Sequence, residues 1–197
     1  MPSLLETITR FYEVAVGGGA TQSPQRLGGL AAYCIEQLAA RGLADAHAEQ
    51  TLPGGAREKN WDVAWFWHGK VRLAISLKSI LQNVAGTVPN RIDDLIGETA
   101  NLQMFSPEVV VGYLLVFDVS KDQFSPKHNE KWLDVLQERL GRLTGREMPA
   151  WGVGMIESSS IVQVDFSCGP KLLTGQPQLD PFFDLLVRRV RERNPGS

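Results

Sequence analysis

The sequence predicts an α/β fold: a central mixed β-sheet, containing an antiparallel hairpin and flanked by helices. Three observations predict it. Residues 60–79, NWDVAWFWHGKVRLAISLKS, alternate apolar and polar side chains along two arms joined at His68-Gly69-Lys70, the period of two that marks strands. Residues 109–119, VVVGYLLVFDV, are almost continuously apolar, as suits a strand buried on both faces. Between them lies a stretch with helical periodicity, so strand, helix and buried strand imply a right-handed crossover and a parallel pairing.

The hairpin sets Trp61, Val63, Trp65 and Trp67 against Asp62, Ala64, Phe66 and His68 on its first arm. On the second, Val71, Leu73, Ile75 and Leu77 oppose Arg72, Ala74, Ser76 and Lys78. A two-residue Gly69-Lys70 loop would place Asp62 opposite Leu77 and mix the faces. A three-residue loop, His68 to Lys70, keeps both apolar rows on one face, because a slip of one residue inverts every side chain. It pairs Trp67 with Val71 and Asp62 with Ser76, with Lys78 diagonal to Asp62. The tryptophans then read as core.

The remaining elements follow in order. Residues 3–16 carry Leu4, Leu5, Ile8, Phe11, Tyr12 and Ala15 at helical spacing and stop at Gly17-Gly18-Gly19. Ser23-Pro24 reads as the N-cap and first turn of a second helix to about Arg41, with Glu36 beside its apolar face. Residues 44–59 read as a loop, open to movement before a ligand binds, with a short strand near 50–52. Residues 80–88 read as an irregular, substrate-contacting loop. The next helix is expected from Pro89 or Asn90 to Met104, with Arg91, Asp94, Glu98 and Asn101 on one polar face. After the buried strand, Ser125-Pro126 should open a helix to about Thr144. Residues 151–156 and 161–166 read as strands around Glu157-Ser158-Ser159-Ser160, and residues 181–193 as a last helix ending in Arg188, Arg189, Arg191 and Arg193. Those arginines suit a helix C-terminus; four in six residues would also suit phosphates. The chain reads as a single domain over 1–197, with a core at about 24–119 and a C-terminal extension over 125–193.

Composition narrows the function classes. Apolar residues make up 43% and charged ones 21%, with a net charge of −2, which argues against a protein that coats nucleic acid but leaves room for a local basic cleft. No apolar run approaches the roughly 20 residues of a membrane span, and the N-terminus lacks a signal-peptide pattern. Cys34 and Cys168 have no metal-like spacing and read as buried thiols in a reducing, cytoplasmic setting. The three histidines, His47, His68 and His128, are scattered, against a histidine-rich zinc site.

The order of these features resembles the PD-(D/E)XK nuclease superfamily, especially its type II restriction endonuclease-like members, over residues 24–119. The proline-aspartate element corresponds to Trp61-Asp62, without the proline. The acid-x-lysine element corresponds to Ser76-Leu77-Lys78, with serine in place of the acid. The resemblance implies a restriction endonuclease-like core and a Mg²⁺-dependent DNA endonuclease (a hydrolase for which Mn²⁺ can substitute), acting on double-stranded DNA as a homodimer. It implies Asp62, with Glu36 or Glu98, as metal ligands, the Leu77 carbonyl as another, and Asp93 and Asp94 as rivals of Glu98. Lys78 would orient water and stabilise phosphate charge, while Ser76 would hydrogen-bond a metal-bound water. Lys59, Asn90 and Arg91 flank this site as DNA-binding candidates; Arg57 is near in sequence. Asp62 and Lys78 also read as a plain cross-strand ion pair. Two alternatives therefore stand beside the restriction enzyme: a repair or recombination nuclease on branched DNA, and a non-catalytic nucleic-acid-binding domain that has lost its acid.

Overall fold

The computed structural model describes residues 2–19, 24–148 and 151–196. Helix α1 (Leu4–Tyr12) opens on a capping box in which Ser3 and Glu6 satisfy each other's backbone N–H groups, and it runs on into a π-turn over Glu13–Gly17. A 3₁₀ turn (Pro24–Leu27) leads into α2 (Gly28–Ala40); the expected cap, Ser23, lies outside the described residues. Strands β1 (His47–Leu52), β2 (Lys59–Trp67) and β3 (Lys70–Ile80) follow, then α3 (Val84–Phe105), β4 (Val110–Asp118) and a ribbon of β5 (Phe124–Ser125) and β6 (Glu130–Lys131). Helix α4 (Trp132–Leu143), β7 (Ser158–Asp165), β8 (Lys171–Leu172) and α5 (Gln176–Arg193) complete the chain.

The main sheet has the order β1-β2-β3-β4-β7-β8. It is mixed: β1, β2 and β3 are antiparallel neighbours, β3, β4 and β7 are parallel, and β8 returns antiparallel. The crossover expected from the sequence is present, with α3 joining the parallel pair β3 and β4. One face packs on α1, α2 and α5 through Val63, Trp65, Leu73, Ile75 and Leu77. The other packs on α3 and α4 through Ala64, Ala74, Tyr113 and Phe117. Strand β4 is buried along its whole length. Gly112 on β4 lets α5 come close: a Cβ there would fall 2.7 Å from Leu186 Cδ1. Among the described residues, no helix is long and apolar enough to cross a membrane.

The turn between β2 and β3 differs from the expected three-residue loop. Only His68 and Gly69 form it, both at positive φ (49° and 72°), the signature of a two-residue type I′ turn. Trp67 therefore pairs with Lys70 and Phe66 with Val71, but Trp65 pairs with Leu73. Arg72 is the extra residue, absorbed as a bulge. The bulge restores the expected register beyond it, so Val63 meets Ile75, and one further step sets Asp62 against Ser76. It also turns Val71 to the α3 side, away from Leu73. Trp61 likewise joins the α3 side instead of sharing a row with Val63. Alternation breaks at Asp62, whose register partner on β1, Glu49, sits at φ 51°, a strained conformation for a non-glycine residue.

Other boundaries shift for identifiable reasons. The strand near 50–52 is longer and belongs to the main sheet as an edge. Helix α3 begins at Val84, so residues 84–88 are helical and Pro89 lies inside the helix. Proline there forfeits only one bond, to the carbonyl of exposed Ala85 in the first turn. Pro181 occupies the equivalent sixth position of α5. Helix α4 starts at Trp132 and not at Ser125, which pairs in the ribbon. The expected strand over 151–156 is not formed among its residues, where Ile156 makes a single bridge to Thr144; the serines 158–160 instead begin β7. Cys34 is buried as expected, but Cys168 is exposed on a turn.

The arginine-rich end of α5 is tied down within the molecule. Glu157, 1% exposed, accepts from the Val111 N–H at 2.6 Å, from Arg146 at 3.2 Å and from Arg193 at 2.7 Å. Arg146 also donates to the carbonyls of Val109 and Pro107. The Trp151 ring lies 5.2 Å from the Arg146 guanidinium and 5.0 Å from that of Arg193. Arg189 pairs with Glu147 and Glu192, and Arg191 donates to the Arg41 carbonyl. Glu157→Gln should leave two buried guanidiniums without a counter-charge. Its expected cost is about 3–5 kcal/mol, read in a denaturant or thermal melt as a fall in Tm of about 2–4 °C per kcal/mol.

Candidate functional site

Beyond Val63 and Ile75 the described pairing of β2 with β3 ends. There the Asp62 carboxylate takes the place of a ladder carbonyl: Leu77 N–H donates to its Oδ2 at 2.7 Å. The N–H and C=O of one strand residue point to the same edge, so the Leu77 carbonyl also faces the gap. Ser76 and Lys78, flanking Leu77, project to the α3 side. Glu98 comes down from α3 to meet them. Its Oε2 lies 3.6 Å from Lys78 Nζ, and its Oε1 pairs with Lys59 Nζ at the start of β2. The Glu98 side chain is 10% exposed.

Burial pushes the Asp62 carboxyl above the usual aspartate range, against the Leu77 N–H and the Lys78 charge, which favour its ionised form; Glu98 adds to the upward push. Asp62, Lys78 and Glu98 are thus within electrostatic reach of one another. Three buried hydroxyls face the same layer, and Ser76 Oγ, Thr99 Oγ1 and Tyr113 OH all lack hydrogen-bond partners among the described residues. Ser76 and Tyr113 are register partners across β3 and β4, on one face of the sheet. Burial raises the Tyr113 phenol well above its usual value, so it stays protonated and able to donate.

The other expected residues are placed differently. Glu36, half-buried on α2, leaves Oε2 without a partner, and no ion pair or hydrogen bond joins it to Asp62, Lys78 or Glu98 among the described residues. Burial, with the Asp62 charge adding to it, raises the Cys34 thiol on α2; Glu36, two residues on, is turned about 200° around the helix. Arg91 pairs with Asp94 at 3.0 Å, and Asn90 is exposed. Asn101 has a structural task. Its Oδ1 accepts from the N–H groups of Ala56 and Arg57, and its Nδ2 donates to the Arg57 carbonyl. The loop between β1 and β2 is thereby fastened to α3, with Gly54 so close that a Cβ would fall 2.0 Å from Asn101 Nδ2.

Sequence reasoning missed Tyr113, Thr99 and Arg26. Tyr113 carried one signal, the one hydroxyl in a strand that is apolar up to its closing Asp118; Arg26, which donates to Ser79 Oγ at 3.2 Å, carried none. Among the described residues no three His, Cys, Asp or Glu side chains gather as a metal cluster. The donors present are nevertheless hard oxygens: two carboxylates, a backbone carbonyl facing the gap and a partnerless serine hydroxyl. Mg²⁺ keeps several waters and takes one or two carboxylates, so Asp62 and Glu98 suffice in number.

Asp62→Asn keeps an acceptor for Leu77 N–H and removes the half-buried charge. Because burial raises the Asp62 pKa, its favourable contribution is complete at low pH and is lost as pH rises through the raised value. The variant should therefore melt at higher temperature than wild type at neutral pH. The difference should close as pH falls below about 3.9, the ordinary aspartate value, in a series of thermal melts. Comparison with protein-family models and with curated proteins returns no match.

Proposed function

We propose that the protein is a Mg²⁺-dependent DNA endonuclease of the restriction type, with Asp62, Glu98 and Lys78 as its catalytic set. One observation carries this reading: a half-buried carboxylate, a second carboxylate and a lysine converge where two strands part. An Asp-Lys pair alone would be an ion pair. Here Asp62 spends one oxygen on a backbone N–H, and Lys78 is held by an acid from another element.

Asp62, Glu98 and the Leu77 carbonyl would hold the metal, with Ser76 Oγ bonding one of its waters. Bound there, Mg²⁺ would supply charge stabilisation at the phosphoryl oxygens and a water of lowered pKa. The chain's own residues do the rest. Lys78 Nζ places a positive charge beside the scissile phosphate and orients the attacking water. Lys59, on the other oxygen of Glu98, fixes that carboxylate and adds a cation near the strand. Arg91 and Asn90 on α3 would meet the backbone of the DNA. A homodimer would bring two such sites to opposite strands.

A second reading has its own support. Both Glu98 oxygens are engaged by lysines, so the cluster is already balanced, as in a nucleic-acid-binding domain that has lost catalysis. Cleavage of supercoiled plasmid with Mg²⁺ or Mn²⁺ separates the two. Asp62→Ala and Lys78→Ala should each lower the rate by about 100-fold or more, the scale for a catalytic electrostatic group. Mg²⁺ should raise the Tm of wild type and not of Asp62→Asn, since a ligand stabilises only the form that binds it. Wild type that cuts no duplex of varied sequence, or cuts as fast without Asp62 and Lys78, would refute the assignment.

A further inference from the structure

We propose that a cleft beside the catalytic set, between Arg26 and Arg91, is a second phosphate site that grips the nucleic-acid strand next to the phosphate at Lys78. The cleft has a volume of about 330 Å³ and runs between the 3₁₀ turn before α2, the end of β3 and the first turns of α3. Its lining carries two arginines, the Ser79 and Thr87 hydroxyls and the Gln82 amide and, among the described residues, no carboxylate. Ser79 follows Lys78 directly on β3 with its side chain on the opposite face of the strand, so the cleft rounds the end of β3, from the α2 side at Ser79 to α3 at Arg91, next along the strand from the proposed catalytic lysine.

The two arginines come from different elements and converge on one space. At Arg26, burial and then the nearby Arg91 charge work against the protonated form, and the Asp62 charge partly offsets them. Like charges gathered around a cleft are relieved by an anion placed between them. Arg91 gives one nitrogen to Asp94, outside the cleft, while its buried Nε has no hydrogen-bond partner among the described residues. The start of α3 adds to this. Asn83, its N-cap, makes no side-chain capping bond, so the N–H groups of a 22-residue helix direct positive potential toward the same side. A phosphate, with three or four acceptor oxygens, matches a guanidinium pair with hydroxyl and amide donors. That the phosphate belongs to a nucleic-acid strand rests on the nuclease reading.

The test is fluorescence anisotropy of the full chain with a short labelled duplex in EDTA, where no cleavage occurs. Arg26→Gln and Arg91→Gln should each weaken binding by about tenfold, the value of one charge-assisted contact. Each should also lower the slope of log K against log salt by about one. Arg26→Lys and Arg91→Lys keep the charge and should restore the slope. Duplexes with 5′-phosphate and 5′-hydroxyl ends distinguish the source. A loss confined to the phosphorylated duplex assigns a strand end, and an equal loss on both assigns an internal phosphate. Inorganic phosphate alone should shift the amide resonances of Ser79 and Thr87 in wild type and not in the double glutamine variant. Unchanged affinity and slope in both glutamine variants would overturn the site, as would an equal fall in slope in the lysine variants. Wild type that binds through these arginines but cuts nothing with Mg²⁺ would remove the nuclease reading and leave the cleft. Wild type that cuts, with glutamine variants that bind and cut equally well, would remove the cleft and leave the nuclease reading.

Discussion

Leu77 N–H donates to the Asp62 carboxylate, where a continuing antiparallel ladder would have offered it a backbone carbonyl. A buried N–H must find an acceptor, and here a side chain supplies it, so β2 and β3 separate without leaving the group unsatisfied. The separation opens room for the Glu98 and Lys78 side chains to meet above Ser76. It also has a local backbone cost: Glu49, opposite Asp62, takes a left-handed conformation. Strain in a non-glycine residue persists where the surroundings over-determine it. Pairing to β2 on either side of Glu49, by Ala48 and Gln50, does so here.

The charges in this gap are arranged as a chain. Lys59 and Lys78 both hold Glu98, and Lys78 and Leu77 N–H both favour ionised Asp62, which burial and Glu98 oppose. Breaking one link leaves a neighbour uncompensated in a poorly solvated layer, so these residues should be coupled and not additive. The loop fastened to α3 by Asn101 keeps Lys59 on this chain. The sequence reads residues 44–59 as open to movement, whereas Asn101 fastens part of that loop, and the reason is spatial: Gly54 is needed for close approach to Asn101.

Much of the fold was legible because its signals are local. The period of two in β2 and β3, the unbroken apolar run of β4 and the helical stripes of α2 and α3 each follow from which faces are buried. The Asp62–Ser76 register was reached through a different turn, because the bulge at Arg72 compensates for a loop one residue shorter. No local pattern announces such a bulge: Arg72 sits at a polar position in either register. The strand over 151–156 failed because that segment's apolar residues serve other partners, with Trp151 covering two arginines. Glu98 was readable as one of two candidates, since its spacing to Arg91 and Asn101 set it on a polar helical face. Arg26 and Tyr113 were not, because their neighbours lie 53 and 37 residues away in sequence, on strands whose register the sequence does not state.

The two ends of the parallel strands handle buried polarity in opposite ways. At the start of β4, Glu157 satisfies three donors with two oxygens and binds β7, α5 and the segment after α4 into one unit. Toward the end of β3, Ser76, Thr99 and Tyr113 keep hydroxyls with no partner among the described residues. Buried hydroxyls are costly when unpaired, so a fold selected for stability alone would have apolar groups in their place, as β4 does at Leu115 and Phe117. Donors left open beside two carboxylates and two lysines are what a site needs if water, metal or phosphate is to complete its hydrogen bonding. Ligands in open α/β sheets also gather outside the carboxyl ends of the strands, and Lys78 and Ser79 lie at that end of β3. The unsatisfied end of the sheet is therefore where binding would add stability, and the satisfied end is what holds the strands in register while it does.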